Sequence, residues 1–124
     1  MDAADTNPNF APGFEQAPDY RIAIKSSEQR FVVRRQGVVL ADTTDALILN
    51  EADYAPVIYV PATDVHPDMI EAPEHTTYCP FKGHATYWNF GGSENIAWSY
   101  ETPYDEVMKI KGHVAFYADK VDLN

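Results

Sequence analysis

The sequence predicts a mainly β fold: a compact antiparallel sheet, arranged as an open barrel or sandwich, with one or two short helices. Three observations carry this expectation. Apolar residues fall in short runs punctuated by Gly, Pro, Asn and Asp, the pattern of strands joined by turns. Strands do not alternate with long helices, which excludes a Rossmann-type or α/β-barrel plan. No heptad or internal repeat is present, and about nine short strands fit this length as a twisted sandwich or partly open barrel.

The elements follow in order. Residues 1–19 hold Pro8, Pro12 and Pro18, four acids and no basic residue, with Phe10 and Phe14 as their large apolar groups. Such a stretch supports no long helix or strand. It reads as a mobile or extended N-terminal arm, with Phe10 and Phe14 able to dock on the domain or on a second subunit of a homo-oligomer. Residues 20–124 form the single β-rich domain. Residues 21–25 make a first strand with Ile22 and Ile24 on one face. Residues 30–35 and 38–41 flank Gln36-Gly37, a two-residue hairpin loop that pairs Val33 with Leu40. Runs 46–50 and 56–60 follow. The second starts at Pro56 and is followed by Pro61, which puts it at an edge or confines it tightly.

Residues 63–71 read as a short helical turn and then a strand. Residues 76–79, 84–90 and 94–100 form a meander, with turns at 80–83 and 91–93. Residues 104–111 predict a helix, with Thr102 as N-cap, Pro103 at the first helical position, and Asp105 and Glu106 near its positive end. Gly112 ends it, and residues 113–117 and a tail around Val121 close the chain as strands.

Charge narrows the function. Nine Lys and Arg against 19 Asp and Glu give a formal net charge of −10, which opposes nucleic acid and anionic membrane as partners. Arg34 and Arg35 point to opposite faces of a strand, so no basic stripe compensates. A single cysteine excludes an intrachain disulfide, and the N-terminus lacks the pattern of a secretory signal. No apolar run approaches the roughly 20 residues of a membrane span. A soluble, cytoplasmic protein is expected.

The chemistry concentrates in residues 76–88, TTYCPFKGHATYW. Pro80 presets the turn and Gly83 takes a conformation that glycine tolerates. Cys79 is a candidate nucleophile, with Lys82 to lower its thiol pKa and His84 as a base. A buried, inert cysteine is the plainer alternative. His75, Cys79 and His84, with His66 or His113, have spacings that a hairpin can bring together, but no CxxC or HxxxH supports them. No metal and no cofactor are expected. The carboxylates Asp42, Asp45, Asp64, Asp68, Glu71, Asp105 and Glu106 read as turn and cap residues.

Beyond the turn, His84, Thr86, Trp88 and Phe90 share one face, and Ala85, Tyr87 and Asn89 the other. A three-residue loop at Gly91-Gly92-Ser93 would pair Trp88 with Ile96; a two-residue loop would pair Tyr87 with Trp98. The aromatics of the C-terminal half serve either as core or, where partly open, as a pocket with Lys82 and Asn95 at its rim. Lys82, Tyr87, Trp88, Asn95 and Trp98 are therefore the expected ligand-binding residues for a small molecule or protein partner. The alternative is a small enzyme of transferase or hydrolase type.

These residues also carry a resemblance. LADT at 40–43, EADYAPVIYV at 51–60, TTYCPFKGHATYW, NIAWSY at 95–100 and IKGHVAFYADKV at 110–121 resemble the domain-of-unknown-function family 427, small and mostly bacterial proteins. The resemblance implies a single β-rich domain comparable to small open Mss4-like sheets. Some members carry a nucleotidyltransferase label, but this chain lacks the Gly-Ser and paired-Asp signature of that chemistry. It also lacks the paired CxxC of zinc-bearing proteins of that architecture.

Overall fold

The computed structural model describes residues 8–124. A four-residue helix α1 (Gly13–Gln16) precedes ten strands. These are β1 (Ile22–Ser26), β2 (Phe31–Arg35), β3 (Val38–Thr43), β4 (Leu47–Glu51), β5 (Val57–Pro61), β6 (Met69–Cys79), β7 (Gly83–Phe90), β8 (Ser93–Tyr100), β9 (His113–Phe116) and β10 (Asp122–Leu123). Short 3₁₀ segments occupy Ala62–Asp64 and Asp105–Ile110. Seven strands form one sheet in the order β1-β4-β5-β9-β8-β7-β6, and β10-β2-β3 form a second. All pairings between these strands are antiparallel. Neither sheet closes into a barrel, so the mainly β, antiparallel plan holds in its open form.

The middle of the large sheet is buried on both faces, because successive side chains alternate. On one face Leu47, Leu49, Tyr59, Tyr87 and Tyr100 pack with Val107 and Ile110 of the second 3₁₀ segment. On the other, Val60, Met69, Ile96 and Val114 pack against Val33, Leu40 and Ala41 of the small sheet. Tyr59 and Val60 are neighbours in sequence and serve opposite cores, each 1 % exposed or less.

Several local expectations change. In the β2–β3 hairpin, Gln36 and Gly37 both have positive φ (51° and 81°), the turn that suits strand twist. The register nonetheless shifts between Val33 and Arg34, so Val33 faces Ala41 rather than Leu40. β5 is no edge: it lies between β4 and β9. Pro56 precedes it and Pro61 ends it, so its interior keeps every N–H for the ladder. The predicted helix at 104–111 is a 3₁₀ segment broken at Val107 (φ −125°, ψ 25°). Tyr104, extended, stands at its N-cap position, and no side chain caps it. Thr102 and Pro103 therefore lie outside it.

Candidate functional site

The β6–β7 turn is a three-residue loop, Pro80-Phe81-Lys82, closed by the Cys79–Gly83 pair. The Lys82 N–H donates to the Cys79 carbonyl at 3.2 Å. Gly83 has φ +116°, and a Cβ there would stand 3.4 Å from the Thr102 carbonyl oxygen. That contact is an ordinary one; it is the positive φ that glycine adopts readily and other residues do not.

The turn sends Phe81 outward and Lys82 inward. Phe81 stacks on Tyr20 (centroids 4.0 Å, 14°) and meets the edge of Phe14 at 5.0 Å. The Gly13 N–H donates to the Pro80 carbonyl at 3.0 Å. Asp105 and Glu106 accept the Asn9 and Ala11 N–H groups, each at 2.9 Å. Residues 9–20 thus lie against the turn, with Phe14 packed on its own chain and Phe10 exposed. The part of the arm before residue 8 lies outside the described residues.

Lys82 is buried, and its ammonium donates to the Glu51 carboxylate at the end of β4. The Tyr20 hydroxyl donates to the other oxygen of the same carboxylate. Burial, then the Glu51 charge, pushes the Tyr20 phenol well up. Lys82 Nζ also lies 3.9 Å from Cys79 Sγ. A charge pair held this far from water needs such hydrogen bonds to offset its lost hydration.

This pair forms one wall of a cleft of about 400 Å³. Leu49, Val57, Tyr59 and Tyr100 also line it, with Tyr54, Tyr87, Trp98 and Tyr117. Trp98 Nε1 donates to the Tyr59 hydroxyl at 3.3 Å. The Tyr117 hydroxyl donates to Tyr87 at 3.4 Å, and Tyr87 bonds Thr77 Oγ1 at 2.9 Å. Burial pushes the phenols of Tyr59 and Tyr100 far up. The lining has the mixed character of small-molecule pockets: large apolar surface with a few fixed polar groups.

The expected site residues separate. The β7–β8 loop is the two-residue Gly91-Gly92, with Phe90 facing Ser93, and a register shift between Trp88 and Phe90 then sets Tyr87 opposite Trp98. Lys82, Tyr87 and Trp98 therefore share the cleft. Trp88 lies on the opposite face, against the second core, where its Nε1 donates to Ser99 Oγ at 2.9 Å. Asn95 sits at the hairpin's irregular position with φ 53°. Its N–H bonds Asn89 and its carbonyl accepts Lys120, and it does not line the cleft.

His84 is exposed and packs on Tyr78, its cross-strand partner, at 4.8 Å. Cys79 is one residue on, so its side chain takes the other face, and His84 is not placed to act as its base. His75 packs on Tyr87 and His66 on Phe90. Among the described residues no three of His, Cys, Asp and Glu gather where they could hold a metal ion, so the convergence of His75, Cys79 and His84 does not form.

Glu51, Tyr20, Tyr54 and Tyr59 are the residues that sequence reasoning missed. Glu51 opens the EADY run at a strand end, and a carboxylate between an apolar strand and a tyrosine-bearing turn was the available signal. The singled-out carboxylates do other work: Asp42 pairs with Arg30 at 2.7 Å and Asp64 accepts Thr43 at 2.8 Å.

Residues 23–124 match a family model described as a domain of unknown function, DUF427. No curated protein matches the chain.

Proposed function

The chain belongs to the DUF427 family, and from the geometry we propose that it is a small-molecule-binding domain whose ligand occupies the cleft beside the CPFKG turn. The observation that carries this reading is the joining of a buried Lys82–Glu51 pair to walls of tyrosine and tryptophan around one open space. Tyr87 and Trp98 offer ring faces, Lys82 and Glu51 fix orientation, and residues 8–20 brace the turn through Phe81 and Tyr20. The acidic composition and single cysteine fit a cytoplasmic setting, and no helix among the described residues is long and apolar enough to cross a membrane.

A melting-temperature screen of ring-bearing small molecules tests this. Compounds should stabilise the protein, and the exposed cleft residue Tyr54 should matter: Tyr54→Ala should weaken the shift without unfolding the chain. If no compound stabilises the protein, or if the shifts ignore Tyr54, the cleft is not the site.

One observation favours an enzyme of transferase or hydrolase type: the 3.9 Å approach of Lys82 Nζ to Cys79 Sγ. Thiol labelling at neutral pH separates the readings. A nucleophilic Cys79 reacts faster than a model thiol; a packing cysteine reacts more slowly or only on unfolding.

A further inference from the structure

Two hydroxyls on buried tyrosines of the cleft wall keep a proton that no acceptor among the described residues takes. Both Glu51 oxygens already accept, one from Tyr20 and one from Lys82. Tyr87 and Tyr117 spend their hydroxyls on each other and on Thr77. Tyr59 accepts from Trp98 and has no acceptor for its own proton among the described residues. Tyr100 has no side-chain hydrogen bond among them, although it is only 7 % exposed and lines the cleft. Lys82 uses one N–H on Glu51 and another on a distant sulfur, and an ammonium has three. Left without an acceptor are the Tyr59 and Tyr100 O–H groups, the O–H of exposed Tyr54 and one Lys82 N–H.

No buried side-chain polar atom among the described residues lacks a partner, so these hydroxyls reach the open cleft, and a ligand that displaces water from them must supply an acceptor. The charge state narrows it further. Lys82 is neutralised by Glu51, and the chain carries a formal −10, so the site has no excess positive charge to hold an anion. The walls are ring faces, which favour a flat partner. We propose that the cleft takes a neutral, planar ring bearing a carbonyl-type oxygen, which accepts from the Tyr59 and Tyr100 hydroxyls while the ring lies against Trp98. This rests on the binding reading above and names its ligand class. Because burial raises both phenols, they keep their protons, and remain donors, throughout the physiological range.

The test compares three probes of one size: coumarin, with a ring carbonyl; naphthalene, without one; and 2-naphthoate, with a charge. Binding is read from the indole N–H of Trp98 in ¹H–¹⁵N spectra of the full chain. Tyr100→Phe is the decisive variant, because the hydroxyl it removes makes no hydrogen bond among the described residues. Coumarin should bind more tightly than naphthalene and lose about five- to tenfold in affinity in Tyr100→Phe, the loss of one hydrogen bond. Naphthalene should bind both proteins alike. If coumarin binds but ignores the substitution, or binds no better than naphthalene, the donor assignment is overturned while the cleft stands as a binding site. If 2-naphthoate binds most tightly, the neutral ligand is overturned. If none of the three moves the Trp98 signal, this inference and the binding reading fall together.

Discussion

Replacing Lys82 with Met removes the ammonium and keeps most of the aliphatic stem, so packing is largely preserved. The two side chains of the pair are 10 % and 16 % exposed, which makes this a buried pair rather than a surface one. Without Lys82, the Glu51 carboxylate keeps only the Tyr20 hydroxyl. Breaking a buried pair by removing one partner costs about 3–5 kcal/mol, and partial exposure of Glu51 argues for the lower end, about 3 kcal/mol. With a urea slope of about 1.5 kcal/mol/M, the unfolding midpoint should fall by about 2 M. Glu51→Gln alone should also destabilise. The double variant should be far less destabilised than the sum of the two, since neither charge is then left alone. Asp42→Asn supplies the control, because the Arg30–Asp42 pair is 66 % and 43 % exposed and such pairs contribute little. If Lys82→Met moves the midpoint no more than Asp42→Asn does, the pair is not the anchor described here.

Gly13→Ala should loosen residues 9–20, because the new Cβ would stand 2.7 Å from Phe81, itself held between Tyr20 and Phe14. Overpacking of this kind costs about 1–3 kcal/mol; faster exchange of the amide at position 13 than in the parent chain, with β8 unchanged, is the expected readout, and an unchanged rate there would contradict it. Gly83→Ala should destabilise by at least about 1 kcal/mol in thermal unfolding, since φ +116° is open to glycine and strained for alanine. Tyr59 and Tyr100 stay protonated in the fold above the pH at which the unfolded chain ionises. Their contribution is complete below about pH 10 and declines as pH rises beyond it. Ultraviolet titration should therefore show both phenols ionising together with loss of the fold, and free titration of all tyrosines in a folded protein would refute their burial.

What could be read from the sequence was local. Gln36-Gly37, Pro80 to Gly83 and Gly91-Gly92 marked their turns because glycine and proline impose backbone conformations on the spot. Register was harder. The bulge at Leu40 leaves no composition signal, and neither does the shift between Trp88 and Phe90, which, rather than the length of the glycine loop, sets Tyr87 opposite Trp98. The helix expected at 104–111 failed for a tertiary reason. Tyr104 N–H bonds the Lys82 carbonyl, and Asp105 and Glu106 hold the arm's backbone instead of serving a helix start. The cleft was half legible. Lys82, Tyr87 and Trp98 lie in or beside the meander, so strand alternation brought them into view. Tyr20 and Glu51 are 31 residues apart, as are Glu51 and Lys82, and only the sheet order joins them. Trp88 and Asn95 were grouped with them by sequence proximity, and one step along a strand sends Trp88 to the far face.

The two tryptophans allow the most direct test. Trp98 lines the cleft and Trp88 packs on the opposite face with its N–H on Ser99, so their indole signals report site and control in one ¹H–¹⁵N spectrum, and Tyr54→Ala, at a residue of the cleft alone, tells it from the neighbouring apolar pocket that Trp98 also borders. Titrated with ring-bearing compounds, the Trp98 indole should shift in a saturable way while the Trp88 indole stays in place. A Trp98 signal that never moves, or two signals that move equally, would contradict the assignment of this cleft as the protein's binding site.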